Sequence, residues 1–450
     1  MLIKQFEDKN LSHYSFAILS DYAKQIVLID PARNAKQYID YAKDNNAEII
    51  GIIETHPHAD FVSSHLELHQ SLGATIYASK DVGAAYPHVT FDEGQTIEIG
   101  ELKFKALNTP GHSPDSISIL LEQNNKQVAV FTGDTLFIGD CGRPDLREAA
   151  GKIQTNRNDL AKMMYHSLRD KLMILANDVL VYPAHGAGTL CGKNLSKENS
   201  STIGEEKKSN WSLQPASEEA FVKNLLADQP FVPLYFPYNV EVNRNGAPAF
   251  QESISKIKKG NAIHEKSASD LDKSKWIIDT RKEDKFKKGH FAHSINLMEN
   301  GKFETWLGSI IKPGEKFYLC CENEVQLHNI IERTAVIGYE GQVLEGFIFE
   351  AANAQNEILD VAKFKVNQNN YQIVDVRNTS EVKESKPFQE SIHIPLAEIR
   401  NRFVEIPTDK PIVVHCAGGY RSAAASSLLK SLLPPATTVF DLGEAINQFK

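Results

Sequence analysis

The second half of the sequence contains one pattern twice, and this repeat restricts the fold more than any other feature. KWIIDTR (275–281) and YQIVDVR (371–377) both read as apolar strands that end in Asp-x-Arg. KFYLCC (316–321) and PIVVHC (411–416) both read as apolar strands that end in cysteine. A repeat of about 95 residues indicates two domains of one fold. Because each copy alternates strands with helical patterns, we expect parallel sheets covered on both faces.

The first half of the sequence is organised differently. Short apolar runs alternate with helical patterns between residues 14 and 186, which predicts layers of helix and sheet with many strands. Residues 188–215 are polar and rich in Ser, Lys and Glu, and we expect an irregular surface segment there. The predicted domains are residues 1–255, 256–352 and 353–450.

Composition restricts the class of function. The net charge of −9 gives no support to a nucleic-acid partner. No apolar run approaches the roughly 18–20 residues that a membrane-spanning helix needs, so no membrane partner is expected. Five cysteines, an odd number, do not make a disulfide framework, and the first residues do not resemble a secretory signal. We therefore expect reduced thiols in the cytoplasm, and we also expect a homo-oligomer.

Ligand-type side chains follow four apolar strands of the first domain. They are His56, His58 and Asp60 (ETHPHADF), His112 (NTPGHS), Asp134 (FTGD) and His185 (YPAHG). Strand ends on one edge of a sheet converge, so residues far apart in the sequence can meet there. Histidine and carboxylate groups bind both iron and zinc. The pattern therefore predicts a metal site in the first domain without choosing the metal.

These motifs resemble those of the metallo-β-lactamase superfamily over most of residues 1–190. The family pattern His-x-His-x-Asp-His stands here as HPHADF, with Phe61 in place of the last histidine. In two-metal members, the resemblance assigns the first metal to His56, His58 and His112, the second to Asp60 and His185, and the bridge to Asp134. Phe61 removes one ligand of the second metal. A hydrolase that needs a hydroxide between two zinc ions is therefore disfavoured.

The remaining ligands still suit a site with one metal. Two histidines and one carboxylate leave open positions, as in non-haem Fe(II) oxygenases. His56, His112 and Asp134 match the positions that carry iron in the persulfide dioxygenase branch of the superfamily. The resemblance implies one Fe(II) per chain, with zinc as the alternative. The groups that would then orient ligands or water, or hold a weak second metal, are His58, Asp60 and His185.

Two further residues lie close to these motifs. The segment FIGDCGRPD resembles the Cys-Gly-Arg segment of the persulfide dioxygenase branch. This makes Arg143 a candidate for contact with a substrate anion or for shaping the site, with a structural ion pair as the alternative. Cys191 lies in GAGTLCGKN, which we expect to be a flexible loop that starts near the metal site. It is either a candidate sulfur relay or an incidental thiol.

The segment HCAGGYRS places a cysteine in a Gly-rich loop between a strand and a helix. The backbone N–H groups of such a loop and the helix N-terminus favour a thiolate nucleophile at Cys416. Gly418 and Gly419 would line the substrate in this loop, and Arg421 would complete it. The Cys-x4-Arg loop is shorter than the Cys-x5-Arg loop of phosphatases and suits a persulfide sulfur. Residues 360–450 therefore resemble a rhodanese domain, which is a sulfurtransferase.

The first copy of the repeat lacks this loop. Cys321 is followed by ENEVQ, which contains no glycine, no arginine and two acids. Negative neighbours disfavour a thiolate and repel anionic sulfur donors. Residues 260–350 thus resemble a rhodanese domain that has kept its fold and lost its catalysis.

The order of domains resembles that of bacterial persulfide dioxygenase–sulfurtransferase fusions. The expected fold is an α/β chain with a metallo-β-lactamase αβ/βα sandwich followed by two rhodanese-like doubly wound α/β domains. The resemblance implies sulfide detoxification. A low-molecular-weight thiol persulfide would be oxidised by O2 to sulfite, and Cys416 would transfer a sulfane sulfur to sulfite to give thiosulfate. Two alternatives stay open: a zinc thioester hydrolase of the glyoxalase II kind with sulfurtransferase domains attached, and a sulfur carrier or sensor with a structural metal.

Overall fold

The computed structural model describes residues 1–146, 155–193, 195–260, 271–350 and 354–449. The chain forms two compact units. The first is Met1–Glu252 with Val336–Gly338, and the second is Ser253–Ala335 with Tyr339–Lys450. Within the described residues, no helix has both the length and the apolar content to cross a membrane.

The first unit contains a six-stranded sheet whose strands lie in sequence order. Its strands are β1 (Leu2–Asp8), β2 (His13–Ser20), β3 (Gln25–Ile29), β4 (Glu48–Ile53), β5 (Thr75–Ala78) and β6 (Val89–Thr90). Strands β1 to β3 are antiparallel and β3 to β6 are parallel. Helices α1 (Lys36–Asp44) and α2 (His65–Leu72) pack on one face of this sheet through Tyr38, Ala42 and Leu68.

A second six-stranded sheet has the order β12-β11-β10-β9-β8-β7. Its strands are β7 (Thr96–Ile99), β8 (Leu102–Asn108), β9 (Ile117–Gln123), β10 (Lys126–Gly133), β11 (Leu180–Pro183) and β12 (Ser201–Thr202). The helices that follow are α3 (Arg157–His166), α4 (Ile203–Ser209), α5 (Glu218–Leu226), α6 (Phe236–Asn245) and α7 (Phe250–Ser255). Helices α3, α4 and α5 cover the outer face of this sheet through Met164, Ile203 and Phe221.

The two sheets of the first unit pack face to face. Strand β2 shows the period-two alternation that this requires, because Phe16 and Ile18 enter the core between the sheets while Leu19 enters the core under α1 and α2. From the second sheet, Phe104 and Phe131 fill the same central core. Helix, sheet, sheet and helix therefore form four layers, which confirms the predicted αβ/βα sandwich.

The expectation of an irregular surface segment at 188–215 is wrong. The described part of this segment contains β12, which pairs with β11, and helix α4. The Thr202 side chain caps α4 by accepting from the Glu205 N–H, and Ile203 and Leu213 are buried in the core under α3. A few well-placed apolar residues thus anchor a stretch whose average composition is polar.

The second unit contains two four-stranded parallel sheets with the same topology. The first sheet, in the order β14-β13-β15-β16, comprises β13 (Trp276–Asp279), β14 (Ser294–Asn296), β15 (Phe317–Cys321) and β16 (Val343–Ile348). The second, in the order β18-β17-β19-β20, comprises β17 (Gln372–Asp375), β18 (Ile392–His393), β19 (Ile412–His415) and β20 (Val439–Asp441). The helices are α8 (Glu283–Lys288), α9 (Phe303–Ile310), α10 (Glu324–Val336), α11 (Val361–Val366), α12 (Thr379–Glu384), α13 (Ile399–Arg402) and α14 (Tyr420–Leu432). This identical order confirms the predicted repeat.

The repeated Asp-x-Arg motif has a structural role in both copies. Arg281 donates from Nη2 to Asp279 at 2.6 Å and to the Gly289 carbonyl at 2.9 Å. Arg377 makes the same pair of bonds, to Asp375 at 2.6 Å and to the carbonyl at 385 at 2.9 Å. Each arginine therefore ties the end of the first strand to the segment that leads into the second strand.

Candidate metal centre and thiol site

Strand direction brings the predicted ligands of the first unit to one edge. Strands β8, β10 and β11 run parallel to one another, so their carboxyl ends lie on the same side of the sheet. The ligand atoms of His56, His112 and Asp134 all lie within 4.8 Å of one another, and the three residues are buried. His112 Nε2 and His56 Nε2 lie 3.5 and 3.9 Å from Asp134 Oδ2. The structure thus groups the three residues that the sequence suggested for iron.

Hydrogen bonds fix which nitrogen each histidine presents to this group. His112 Nδ1 lies 2.9 Å from the Arg143 carbonyl, which can only accept, so Nδ1 carries the proton. His56 Nδ1 lies 3.0 Å from Thr55 Oγ1, which donates its own proton to Asp30 Oδ2 at 2.8 Å. His56 Nδ1 is therefore also a donor. Both Nε2 lone pairs then face Asp134, as metal ligation requires.

Asp134 completes a donor set that fits a divalent cation. Its Oδ1 accepts from His185 Nδ1 at 2.7 Å, whereas its buried Oδ2 has no hydrogen-bond partner. Burial opposes ionisation of Asp134, but the charge of His185 and its hydrogen bond outweigh it and hold the pKa of Asp134 well below the usual value. An unpaired anionic oxygen beside two imidazole lone pairs is costly without a cation.

His58 lies outside this group. Its Nε2 lies 3.2 Å from Asp30 Oδ1, and its ligand atom falls in a separate group with Asp30 and Glu54. Phe61 packs against the His58 ring at a centroid distance of 4.4 Å and against His13 at 3.8 Å. The phenylalanine therefore fills the space beside the site with an apolar ring.

Asp60, His185 and Cys191 form a second group of three ligand atoms within 4.8 Å of one another. His185 donates from Nε2 to Asp60 Oδ2 at 2.8 Å and is held between two carboxylates. Burial opposes the charge on His185, but Asp134 and Asp60 outweigh it and raise the pKa of His185 well above its usual value. Asp60 and His185 are the two residues that the resemblance assigns to a second metal.

The candidate thiol site of the second unit surrounds Cys416. Cys416 is buried at the end of β19, and the Gly419 N–H donates to its sulfur at 3.1 Å. Gly419 has φ of 104°, a conformation that favours glycine, and a Cβ at Gly418 would meet open space. Arg421 pairs with Glu381 through both of its terminal nitrogens, and the negative charge of Glu381 helps to raise the pKa of the buried guanidinium. The loop thus places one backbone N–H donor and a fixed cation close to one sulfur.

The corresponding position in the first copy is different. Cys321 is buried and accepts a hydrogen bond from Thr280 Oγ1 at 3.3 Å. Burial, followed by the charges of Asp279 and Glu299, raises the pKa of Cys321 to about 12. The thiol therefore stays protonated at neutral pH.

Comparison with known families assigns a family to each domain. Residues 11–185 match the description "Metallo-beta-lactamase superfamily", and residues 264–354 and 359–450 each match "Rhodanese-like domain". The chain is a metallo-β-lactamase domain followed by two rhodanese-like domains. We call these the lactamase domain, the first rhodanese domain and the second rhodanese domain.

Relatives of the lactamase domain differ in activity. The mitochondrial persulfide dioxygenase ETHE1 of Mus musculus is 29% identical over 224 residues, which cover 50% of this chain and 79% of that protein. A probable hydroxyacylglutathione hydrolase of Schizosaccharomyces pombe is 34% identical over 177 residues, 38% of this chain and 63% of that protein. A crystal structure of a metallo-β-lactamase from Staphylococcus aureus is 27% identical with a TM-score of 0.68, covering 78% of this chain and 99% of that one.

The structure corrects the expectation that Arg143 contacts a substrate anion. Its guanidinium is 1% exposed and donates to Asp145 from Nε at 2.7 Å and from Nη2 at 2.6 Å. The remaining N–H groups reach the backbone carbonyls of Leu190, Pro230 and Phe231. No donor remains for a substrate. Arg143 instead shapes the lactamase site, because its own carbonyl orients His112.

Gly142 explains why the Cys-Gly-Arg segment needs a glycine. A Cβ at this position would lie 1.9 Å from the Asp134 carbonyl oxygen and 3.1 Å from His112 Nδ1. The segment therefore crosses directly over two of the three grouped residues, and any side chain at this position would displace them.

Cys191 is buried, contrary to the expectation of an accessible thiol. It is 1% exposed, and burial, followed by the charges of Asp134 and Asp60, raises its pKa well above the usual thiol value. A sulfur relay needs an accessible thiol that ionises readily. The expectation of a relay at Cys191 is therefore not supported by its surroundings.

Sequence reasoning missed two residues that hold the site together. Asp30 accepts from the Thr55 N–H at 2.7 Å and from its hydroxyl, and so fixes the residue that orients His56. Asp30 ends an apolar strand, as the predicted ligands do, so the same signal could have identified it. Asn243 on α6 donates to the carbonyls of His58 and Phe61 at 2.8 and 2.7 Å, and nothing in its sequence context indicated this.

Proposed function

We propose that the lactamase domain is a non-haem Fe(II) persulfide dioxygenase coupled to sulfur transfer by the second rhodanese domain, in sulfide detoxification. One thiol persulfide, O2 and one water would give the free thiol, sulfite and two protons. The observation that carries the proposal is the compact set of His56, His112 and Asp134, whereas His58 groups with Asp30 and Glu54. Two histidines and one carboxylate are the ligand set of Fe(II) oxygenases.

Each residue of the set has a defined task in this proposal. His56, His112 and Asp134 would hold one Fe(II) per chain through Nε2, Nε2 and Oδ2. Iron, when bound, supplies open positions at which O2 and the persulfide sulfur can react. The His185 imidazolium, bonded to Asp134 Oδ1, keeps that carboxylate ionised and oriented. The apolar Phe61 ring limits water on the side where two-metal hydrolases place their second ion.

We assign sulfur transfer to Cys416. Its thiolate would attack the outer sulfur of a second persulfide, which forms a new S–S bond and releases the free thiol. Sulfite would then attack that sulfane sulfur, break the bond to Cys416 and leave as thiosulfate. The Gly419 N–H, 3.1 Å from the sulfur, would stabilise the thiolate in both steps. The first rhodanese domain would be inactive, because its Cys321 is a protonated thiol with no such loop.

We further propose that the protein works in the cytoplasm as a homo-oligomer. The five cysteines, all within the described residues, are free, which supports a reducing compartment. The substrates would be small sulfur compounds: a thiol persulfide, O2 and sulfite.

A zinc thioester hydrolase is the second candidate, and one observation favours it. Cys191 supplies a third donor beside Asp60 and His185, where two-metal relatives bind their second ion. The likeness to a probable hydroxyacylglutathione hydrolase points the same way. This candidate requires two metal ions per chain and hydrolysis without O2.

Oxygen uptake by anaerobically Fe(II)-loaded protein, with glutathione persulfide or coenzyme A persulfide added, tests the proposal. We expect rapid uptake with one iron per chain and none with zinc-loaded protein. S-lactoylglutathione hydrolysis by protein carrying two zinc ions, with no oxygen uptake in the iron form, would establish the hydrolase instead.

A further inference from the structure

The helix that follows the Cys416 loop is covered by both rhodanese domains. Helix α14 buries eight consecutive residues, from Ser422 to Leu429. The Asn296 N–H of the first rhodanese domain donates to Ser427 Oγ at 2.9 Å. Because most of these residues are Ala or Ser, the helix can lie close to backbone on two sides. Helix α14, which begins in the Cys416 loop, therefore packs against the first rhodanese domain as well as its own domain.

Tyr420 lies in the loop, between Gly419 and Arg421, and it also contacts the first rhodanese domain. Its hydroxyl donates to the Met298 carbonyl of the first rhodanese domain at 2.9 Å. Its ring packs on Gly301, where a Cβ would lie 2.7 Å from a ring carbon. Burial raises the pKa of Tyr420 well above its usual value, so the hydroxyl remains a donor.

The segment that receives Tyr420 is held by a buried ion pair. Arg333 donates from Nε to Glu304 at 2.5 Å, and the two residues are 8% and 1% exposed. The same guanidinium donates to the carbonyls of Glu299 and Gly301 at 2.6 and 3.2 Å. A buried ion pair is weak evidence for stability but can specify one conformation. Here it fixes the backbone on which Tyr420 rests.

A second contact reaches the loop from the same domain. Lys287 pairs with Asp441 at 2.8 Å, and Asp441 accepts from the Gly443 N–H at 2.9 Å. A Cβ at Gly419 would lie 3.3 Å from the Gly443 carbonyl carbon and 3.5 Å from Glu283 Oε2. The Glu283 carboxylate of the first rhodanese domain thus lies beside Gly419, whose N–H donates to the Cys416 sulfur.

We infer that the first rhodanese domain holds the catalytic loop of the second, with Tyr420 as the positioning residue that joins them. The domain without a catalytic loop of its own is then part of the framework of the thiol site, since it fixes Gly419 and Arg421 around Cys416. This inference rests on the proposed role of Cys416 as the sulfur-carrying thiol.

Tyr420→Phe tests the inference with little change of shape. Tyr339→Phe is the matched control, because Tyr339 is also buried and donates to a backbone carbonyl of the first rhodanese domain, that of Ile311, at 3.0 Å. The readouts are kcat and KM for thiosulfate:cyanide sulfur transfer and the rate of iodoacetamide alkylation at Cys416, followed by mass spectrometry. We expect Tyr420→Phe to lower kcat and the alkylation rate about threefold to tenfold, the effect of one lost hydrogen bond. Tyr339→Phe would lower only the melting temperature.

A change confined to the first rhodanese domain gives the sharper test. Gly301→Ala would push on the Tyr420 ring, whereas Gly314→Ala introduces a side chain at a similar positive φ with nothing within 4 Å. We expect slower Cys416 alkylation in Gly301→Ala alone. Equal alkylation rates within the glycine pair, or within the tyrosine pair, would overturn the inference. Wild-type protein that alkylates at Cys416 but transfers no sulfur would refute the proposed sulfurtransferase and leave the positioning test valid.

Discussion

Asn243→Ala should loosen the loop that carries His56. Asn243 is 2% exposed and makes three hydrogen bonds to this loop: to the carbonyls of His58 and Phe61, and from the Ser63 N–H at 2.8 Å. Removal leaves two carbonyls and one N–H buried without this partner. At about 1–2 kcal/mol for each of the three unpaired groups, the local loss of stability is about 3–6 kcal/mol.

Asn239→Ala is the control on the same helix. Asn239 is fully buried, but its side-chain oxygen and nitrogen have no hydrogen-bond partner. Asn239→Ala breaks no side-chain hydrogen bond, so we expect the free energy of unfolding to change by less than about 1 kcal/mol.

Hydrogen exchange followed by mass spectrometry can measure the difference locally. We expect the peptide that spans residues 54–64 to exchange at least about a hundredfold faster in Asn243→Ala, with the rhodanese peptides unchanged. Anaerobically loaded iron should also be lost to a chelator faster. If Asn239→Ala and Asn243→Ala gave the same exchange rates, the hydrogen bonds of Asn243 would not be what holds the loop.

Three further outcomes follow from the two sites. Cys416→Ser should leave oxygen uptake largely intact and shift the product from thiosulfate towards sulfite; an unchanged thiosulfate yield would refute this division of labour. His112→Ala should abolish oxygen uptake and spare thiosulfate:cyanide sulfur transfer in the folded protein, and loss of both activities would contradict two independent sites. Burial lowers the pKa of His290 and of His415 to about 4, so the folded state resists their protonation. The free energy of unfolding is then highest above about pH 6.5 and falls as the pH drops towards 4, by up to about 3 kcal/mol for each histidine. Urea unfolding at several pH values can measure this loss.

Several features of the fold follow from local patterns in the sequence. The apolar run YSFAILS predicts strand β2, and the repeated strand ends predict two domains of one topology. The segment 188–215 escaped prediction because its average composition is polar. Only the packing of Ile203 and Leu213 under α3 gives that segment a helix and a strand.

The same distinction between local sequence patterns and tertiary packing applies to the candidate site residues. The sequence alone determined that His56, His112 and Asp134 lie at strand ends and that Cys416 lies in a Gly-rich loop, because each signal is contained in a few consecutive residues. The physical reason is that an apolar run sets a strand, and the next residues must emerge at its end.

Only the tertiary structure determined which polar partners the site side chains reach. Arg143 turns its guanidinium to Asp145 and to distant carbonyls, Asn243 reaches the ligand loop across 185 positions of sequence, and Tyr420 reaches Met298 across 122. Contacts over such separations depend on how layers pack, and hydrophobic periodicity carries no information about which polar atoms meet. The direction of a buried side chain is set by the partners that can satisfy it, and those partners exist only once the chain has folded.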